Sequence, residues 1–124
     1  MKKIEWIYFR KGWVSCKKAQ KFFEQNAVEI EVMVDPRKEP IEAEAAWQRL
    51  LSVERVAVVK GKKIKDFVVA EQNRDEILAN VIGPSGKLRA PTFKLDDIYV
   101  VGFNEEMYAN HLQSWMSIVG MVSG

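Results

Sequence analysis

The order of elements at the N-terminus constrains the fold more than any other feature. Residues 4–9 are aromatic and β-branched with too little polarity for a solvent-facing strand, which predicts a central strand covered on both faces. Residues 16–26 follow as a predicted helix, with an apolar stripe at Ala19, Phe22, Phe23 and Ala27. Residues 28–34 then alternate apolar and acidic until Asp35-Pro36 stops them. Two strands joined by a helix are expected to run parallel with a right-handed crossover.

The rest of the chain predicts helices, one hairpin and one ambiguous segment. Helical patterns cover residues 41–51, residues 73–81 and the chain after Asn104, and two short strands flank a turn at Asp96-Asp97. Residues 55–59 fit either a strand or the end of a buried helix.

The lysine-rich run at residues 60–65 predicts a solvated loop, with a site for an anionic partner as the alternative. The run carries no interleaved aromatic side chains, which argues against single-stranded nucleic acid as that partner. The net charge of +2 is also too small to indicate direct nucleic-acid binding.

Composition narrows the class of protein. At 124 residues with 48% hydrophobic and 29% charged residues, the chain is expected to form one folded, soluble domain over 1–124. One cysteine and one histidine exclude an internal disulfide and a Cys/His zinc site. No stretch approaches the roughly 20 apolar residues of a membrane span, so we expect a cytoplasmic protein with no membrane partner.

The only cysteine, Cys16, marks the candidate chemical site, because it follows a predicted strand and opens a predicted helix. Ser15 is expected to cap that helix. Backbone N–H groups in the first turn favour a thiolate, and Lys17 and Lys18 act in the same direction. The alternative is that Cys16 is a small buried hydrophobe.

Several spaced motifs carry a family resemblance. They are Ser15-Cys16-Lys17-Lys18-Ala19 followed by Phe23, then Pro40-Ile41, Lys60-Gly61-Lys62-Lys63, Arg89-Ala90-Pro91 and Val101-Gly102-Phe103-Asn104-Glu105-Glu106. Together they resemble the arsenate reductase (ArsC) and Spx family over residues 1–113, with a glutaredoxin-like Ala90-Pro91-Thr92. The resemblance implies an α/β, thioredoxin-like fold. We therefore expect a central mixed sheet of about four strands, a helical insertion at about 36–87 after the second strand, and a flexible tail at 118–124.

The resemblance also implies a site. A redox cysteine in the loop before the first helix corresponds to Cys16, and a cis-proline that begins the third strand beside it corresponds to Pro91. The family's attacking cysteine is replaced by Trp13, which leaves Trp-x-x-Cys. The family's arginine before the proline is Ala90 here, with Arg89 displaced by one position. Both departures argue against arsenate reduction, because an indole cannot attack arsenic and an oxyanion needs a positioned guanidinium.

Two functions therefore remain open. In the first, Cys16 works alone as a monothiol glutaredoxin-like oxidoreductase and forms mixed disulfides with glutathione or a partner protein. Glutathione is then the candidate cofactor, and no metal is expected. In the second, the fold is a non-catalytic protein-binding or regulatory module of the Spx type, with Trp13 anchoring the interface.

Overall fold

The computed structural model describes residues 3–112, which form eight short strands, four α-helices and a 3₁₀ turn at Glu71–Asn73. In chain order they are β1 (Lys3–Ile4), β2 (Trp6–Tyr8), α1 (Val14–Gln25), β3 (Glu29–Ile30), β4 (Met33–Val34), α2 (Ala43–Leu50), β5 (Arg55–Lys60), β6 (Lys63–Val68), α3 (Arg74–Val81), β7 (Thr92–Leu95), β8 (Ile98–Val101) and α4 (Glu105–Leu112). The tail predicted at 118–124 lies outside the described residues.

The principal sheet has six strands in the order β4-β2-β7-β8-β5-β6, so the predicted sheet of about four strands is wrong. The predicted parallel pairing of the first two strands is confirmed, because β2 runs parallel to β4 and β1 runs parallel to β3. Lys3 pairs with Glu29 and Ile7 with Met33, so both pairs share one register. The predicted hairpin is also confirmed, with β7 antiparallel to β8.

The segment 36–87 is not purely helical, because a β-hairpin lies between its two helices. The ambiguous residues 55–59 belong to β5, which pairs in parallel with β8 and antiparallel with β6. Residues 56–59 are all buried, and the β-branched side chains of the three valines among them suit a strand packed on both faces. The lysine-rich run forms the tip of this hairpin rather than a loop, with Gly61 in the turn at φ +63°.

Helices cover both faces of the sheet. The face against α1 and α4 buries a cluster of Ile4, Ile7, Phe9, Cys16, Ala19, Phe22, Phe23, Ala57, Val59, Phe93, Leu95, Val100, Met107, Tyr108 and Leu112. The face against α2 and α3 buries Trp6, Tyr8, Ala46, Trp47, Leu50, Val53, Val56, Val58, Ile77, Val81, Leu88, Tyr99 and Val101. Side chains alternate along β2, so Ile7 belongs to the first cluster and its two neighbours to the second.

Tyr108 joins α4 to α1 and to the sheet. Its ring lies edge-on to Phe22 and Phe93 and is stacked on Phe23, with centroid distances of 5.6, 5.1 and 5.7 Å. Its hydroxyl donates to the Gly102 carbonyl at 2.8 Å. Burial raises the pKa of this hydroxyl well above its ordinary value. None of the helices within residues 3–112 has the length and apolarity needed to span a bilayer.

Tyr8 ties the segment after β4 to the centre of the sheet. Its buried hydroxyl donates to the Glu39 carbonyl at 2.9 Å and accepts the Ile41 N–H at 2.9 Å. We expect Tyr8→Phe to lower the free energy of unfolding by about 1–3 kcal/mol, because it leaves two backbone groups without their partner. Urea denaturation followed by circular dichroism measures the change.

Tyr99→Phe is the matched control. The Tyr99 hydroxyl accepts from the Arg49 guanidinium at 3.1 Å. Because Arg49 is only half-buried, water can replace the lost hydroxyl as its hydrogen-bond partner. We expect a smaller loss for Tyr99→Phe than for Tyr8→Phe. Equal losses would show that the Tyr8 hydrogen bonds do not anchor the segment.

Candidate functional site

The loop between β2 and α1 builds the site. Gly12 adopts φ +101°, and the Trp13 N–H donates to the Arg10 carbonyl at 3.3 Å, so the chain reverses before Trp13. The Trp13 carbonyl then accepts the Lys17 N–H at 2.9 Å as the first helical bond. Trp13 is therefore the N-cap residue, and it makes no side-chain cap hydrogen bond. The predicted cap at Ser15 is wrong, because the reversal at Gly12 places Ser15 inside the first turn, where it is exposed.

Cys16 lies in the core rather than at its edge. The residue is 0% exposed and belongs to the cluster between α1, α4 and the sheet. The Arg10 backbone N–H donates to its Sγ atom at 3.4 Å. The sulfur is thus enclosed by protein atoms, with a main-chain donor as its polar contact.

Burial raises the pKa of the Cys16 thiol, which is opposite to the direction expected from the sequence. Loss of hydration is the largest cause, and the N–H and positive charge of Arg10 oppose it only in part. Lys17 and Lys18 are exposed on the outer side of α1, where water screens their charge. At neutral pH the buried group is a thiol, and a thiol is a poor nucleophile.

Trp13 lies on the surface above this loop. Its side chain is 42% exposed, and the Arg10 guanidinium carbon lies 4.5 Å from the centroid of its ring. The indole borders a cleft of about 400 Å³ that is lined by Arg10, Pro36, Arg37, Pro84, Ser85, Lys87 and Leu88. Three of these side chains are cationic. The cleft therefore combines an aromatic wall with positive charge.

Sequence reasoning missed Arg37 and Lys87, because each is distant from Cys16 in the chain and neither belongs to a motif. Arg37 is held by Asp35, with the Nη2 atom 2.9 Å from Oδ2. Hydrogen bonds from Arg37 lower the pKa of Asp35 to about 2. Lys87 is exposed in the loop after α3. Asp35-Pro36 in the sequence predicts that the strand ends here. That this turn lies beside Trp13 follows only from the tertiary structure.

The predicted cis bond at Ala90-Pro91 is confirmed. Pro91 is buried and immediately precedes β7. Because Tyr8 in β2 pairs with Thr92 in β7, the loop after β2 and the loop before β7 lie at the same end of the sheet. Ala90 is half-buried and packs against both apolar clusters. The structure thus brings the proline loop to the end of the sheet where Cys16 lies.

Arg89 precedes the proline loop and contacts α3 and Gly102. It is half-buried, and its Nη1 atom donates to the Asn80 carbonyl of α3 at 3.1 Å. A Cβ atom on Gly102 would lie 3.1 Å from Arg89 Nη2, so the guanidinium also packs closely on that glycine. Loss of hydration lowers the pKa of Arg89. Arg89 therefore does not line the cleft beside Trp13. Within residues 3–112, no group of three His, Cys, Asp or Glu side chains is arranged to hold a metal ion.

The enclosed sulfur predicts slow alkylation. We expect native Cys16 to react with iodoacetamide at pH 7.5 at least about tenfold more slowly than a model thiol, since both access and thiolate fraction are reduced. In urea, where the chain is unfolded, the alkylation rate of Cys16 should match that of the model thiol. Mass spectrometry of time points measures both rates, and native reaction as fast as the model thiol would show that the sulfur is reachable.

The raised pKa of Cys16 also predicts how the free energy of unfolding changes with pH. The folded state favours the neutral thiol, so this contribution is present below the ordinary thiol pKa of about 8.5 and is lost as pH rises through the folded value. We expect wild type to lose more stability than Cys16→Ala between pH 7.5 and pH 10, as followed by urea denaturation. Parallel losses would contradict the burial of the thiol.

The comparisons with known proteins do not identify the chain. Searches against protein-family models, curated proteins and solved structures find no match. What the structure establishes is an α/β architecture with a mixed six-stranded sheet and four helices within residues 3–112. The ArsC and Spx resemblance and its redox chemistry stay predictions.

Proposed function

We propose that this chain is a non-catalytic protein-binding module whose docking surface is the cationic cleft beside Trp13, and that its partner presents an acidic segment with an apolar anchor. The observation that carries the proposal is the contrast in solvent exposure between Cys16 and Trp13. Cys16 is 0% exposed, whereas Trp13, three positions earlier, is 42% exposed. The side chain available to a partner at this end of the sheet is therefore the indole and not the sulfur.

The state of the thiol argues against the redox alternative. A mixed disulfide requires a thiolate that reaches a sulfur of a second disulfide in line with the S–S bond, and the leaving thiolate departs on the opposite side of that sulfur. The pKa of Cys16 is raised, and its sulfur lies on the buried face of α1 against the Arg10 backbone N–H. Mixed-disulfide formation with glutathione would thus require the loop between β2 and α1 to open first.

The surface has the chemistry of a binding anchor. Tryptophan and arginine are the residues that most often dominate binding energy at protein interfaces. Here the Arg10 guanidinium already lies over the Trp13 ring, so the pair is held in place before a partner arrives. Arg10, Arg37 and Lys87 surround the cleft and favour carboxylates in the partner.

The arrangement of the sheet supports a thioredoxin-like origin for this module. The four strands β4, β2, β7 and β8 are adjacent in that order, with β2 parallel to β4 and antiparallel to β7. The helices α1 and α4 cover one face of these strands, and α2 and α3 cover the other. We infer that β5 and β6 extend such a core within the segment 36–87, where the resemblance implies a helical insertion instead.

A labelled acidic peptide tests the docking surface. The probe is a fluorescein-labelled dodecapeptide of alternating glutamate and leucine, and its lysine-leucine counterpart is the charge control. We expect Trp13→Ala to weaken binding of the acidic probe about tenfold by fluorescence anisotropy, because an anchoring aromatic is lost. Lys87→Glu should weaken binding and reduce its salt dependence.

Matched variants distinguish binding at the cleft from non-specific hydrophobic binding. Leu51 is 51% exposed at the end of α2 and does not line the cleft, so Leu51→Ala removes an exposed apolar side chain and should leave binding unchanged. Cys16→Ala should also bind normally. Equal weakening by Trp13→Ala and Leu51→Ala, or loss of binding with Cys16→Ala, would contradict the proposal.

A further inference from the structure

A cavity of about 340 Å³ lies between α4 and the β5–β6 hairpin, away from the cleft beside Trp13. Ile98, which lines it, pairs with Leu95 at the turn between β7 and β8, whereas the proline loop lies at the other end of β7. Among the described residues, the cavity and the cleft share no lining residue. The two sites are therefore separate.

The walls of the cavity are apolar where they meet the core. Ile64 of β6 and Ile98 of β8 are half-buried and pack against the cluster under α1 and α4, which includes the buried Met107. The helix also contributes Asn110 and His111, which follow Met107 by three and four positions and so share its face of α4. The cavity thus has an apolar interior with polar groups around it.

Two opposite charges from the hairpin face this cavity without pairing to each other. Arg55 of β5 is opposite Val68, two positions beyond Asp66 of β6, so the two charged residues are diagonal neighbours on one face, with Cβ atoms roughly 7 Å apart. Within residues 3–112, neither side chain makes a salt bridge or a hydrogen bond. One cation and one anion are therefore available to a molecule in the cavity.

His111 does not alter this balance at neutral pH. Burial is the largest influence on its imidazole and lowers the pKa, Asp66 acts in the opposite direction, and Arg55 lowers the pKa further. The imidazole is therefore neutral at neutral pH. With equal numbers of positive and negative groups, the cavity favours a ligand that carries both charges over a simple anion or cation.

We propose that this cavity binds a free α-amino acid with an apolar side chain. The ligand carboxylate pairs with the Arg55 guanidinium, and the ligand ammonium pairs with the Asp66 carboxylate. The ligand side chain packs against Ile64, Ile98 and Met107. A volume of about 340 Å³ suits a ligand of this size, because small-molecule sites begin at about 300 Å³. This inference does not depend on the proposed function.

Isothermal titration calorimetry of the full chain with L-leucine, at up to about 10 mM, tests the proposal. We expect saturable binding with a Kd below about 1 mM. Leucinamide lacks the carboxylate and 4-methylpentanoate lacks the ammonium, so each should bind at least about tenfold more weakly than leucine. Glycine should also bind more weakly, because it has no side chain to bury.

Two variants assign each ligand group to its partner. Arg55→Gln should weaken leucine binding about tenfold without weakening that of leucinamide, which has no carboxylate to lose a partner. Asp66→Asn should weaken leucine binding to a similar extent without weakening that of 4-methylpentanoate. Lys65→Gln is the matched control, because side chains alternate along β6 and Lys65 lies on the other face from Asp66. It should bind leucine as wild type does.

The proposal is overturned if leucine gives no saturable heat, if leucine and its two analogues bind equally, or if Lys65→Gln weakens binding as much as Arg55→Gln. It is also overturned if either variant weakens all three ligands alike, since the two charges would then have no separate roles. Trp13→Ala should bind leucine normally even if it loses the acidic peptide, so failure of this inference and failure of the proposed function are distinguishable.

Discussion

Two-sided burial of the central strands is the constraint on which the rest of the structure depends. Trp6, Ile7 and Tyr8 in β2 are all buried, because helices cover both faces of the sheet. A strand of this kind has no polar face and must have a helical layer on each side. That requirement places α1 and α4 over one face and α2 and α3 over the other. The loop that ends at Trp13 connects this strand to α1, and the first turn of α1 carries Cys16.

The same burial decides the chemistry of Cys16. A helix N-terminus stabilises a nearby thiolate, but the stabilisation is modest and is opposed by the cost of removing charge from water. At Cys16 the second effect is larger, since the residue faces the sheet and its polar contact is one backbone N–H. Position in a first turn is therefore insufficient to predict a reactive sulfur. The direction in which the side chain points decides between the two effects.

Exposure and charge are distributed unevenly over the rest of the surface. Trp13 lies with Arg10 at one end of the sheet, where Arg37 and Lys87 add positive charge from two other loops. The β4 edge carries apolar side chains, and the β6 edge carries lysines. These differences depend on which strands become edges and on which loops meet at one end of the sheet.

The sequence by itself determined those elements that depend on short-range patterns of apolar, branched and turn-forming residues. The parallel strand pair follows from the apolar run at 4–9, the helix after it and the alternation at 28–34, and the hairpin follows from two β-branched runs around Asp96-Asp97. The cis bond before Pro91 was predicted from the family resemblance. The tertiary structure alone decided that residues 55–59 form β5, since only pairing with β8 distinguishes a buried strand from a buried helix end. It also enclosed Cys16 and brought Arg37 and Lys87 beside Trp13, because solvation and long-range proximity are properties of the packed chain and not of any segment.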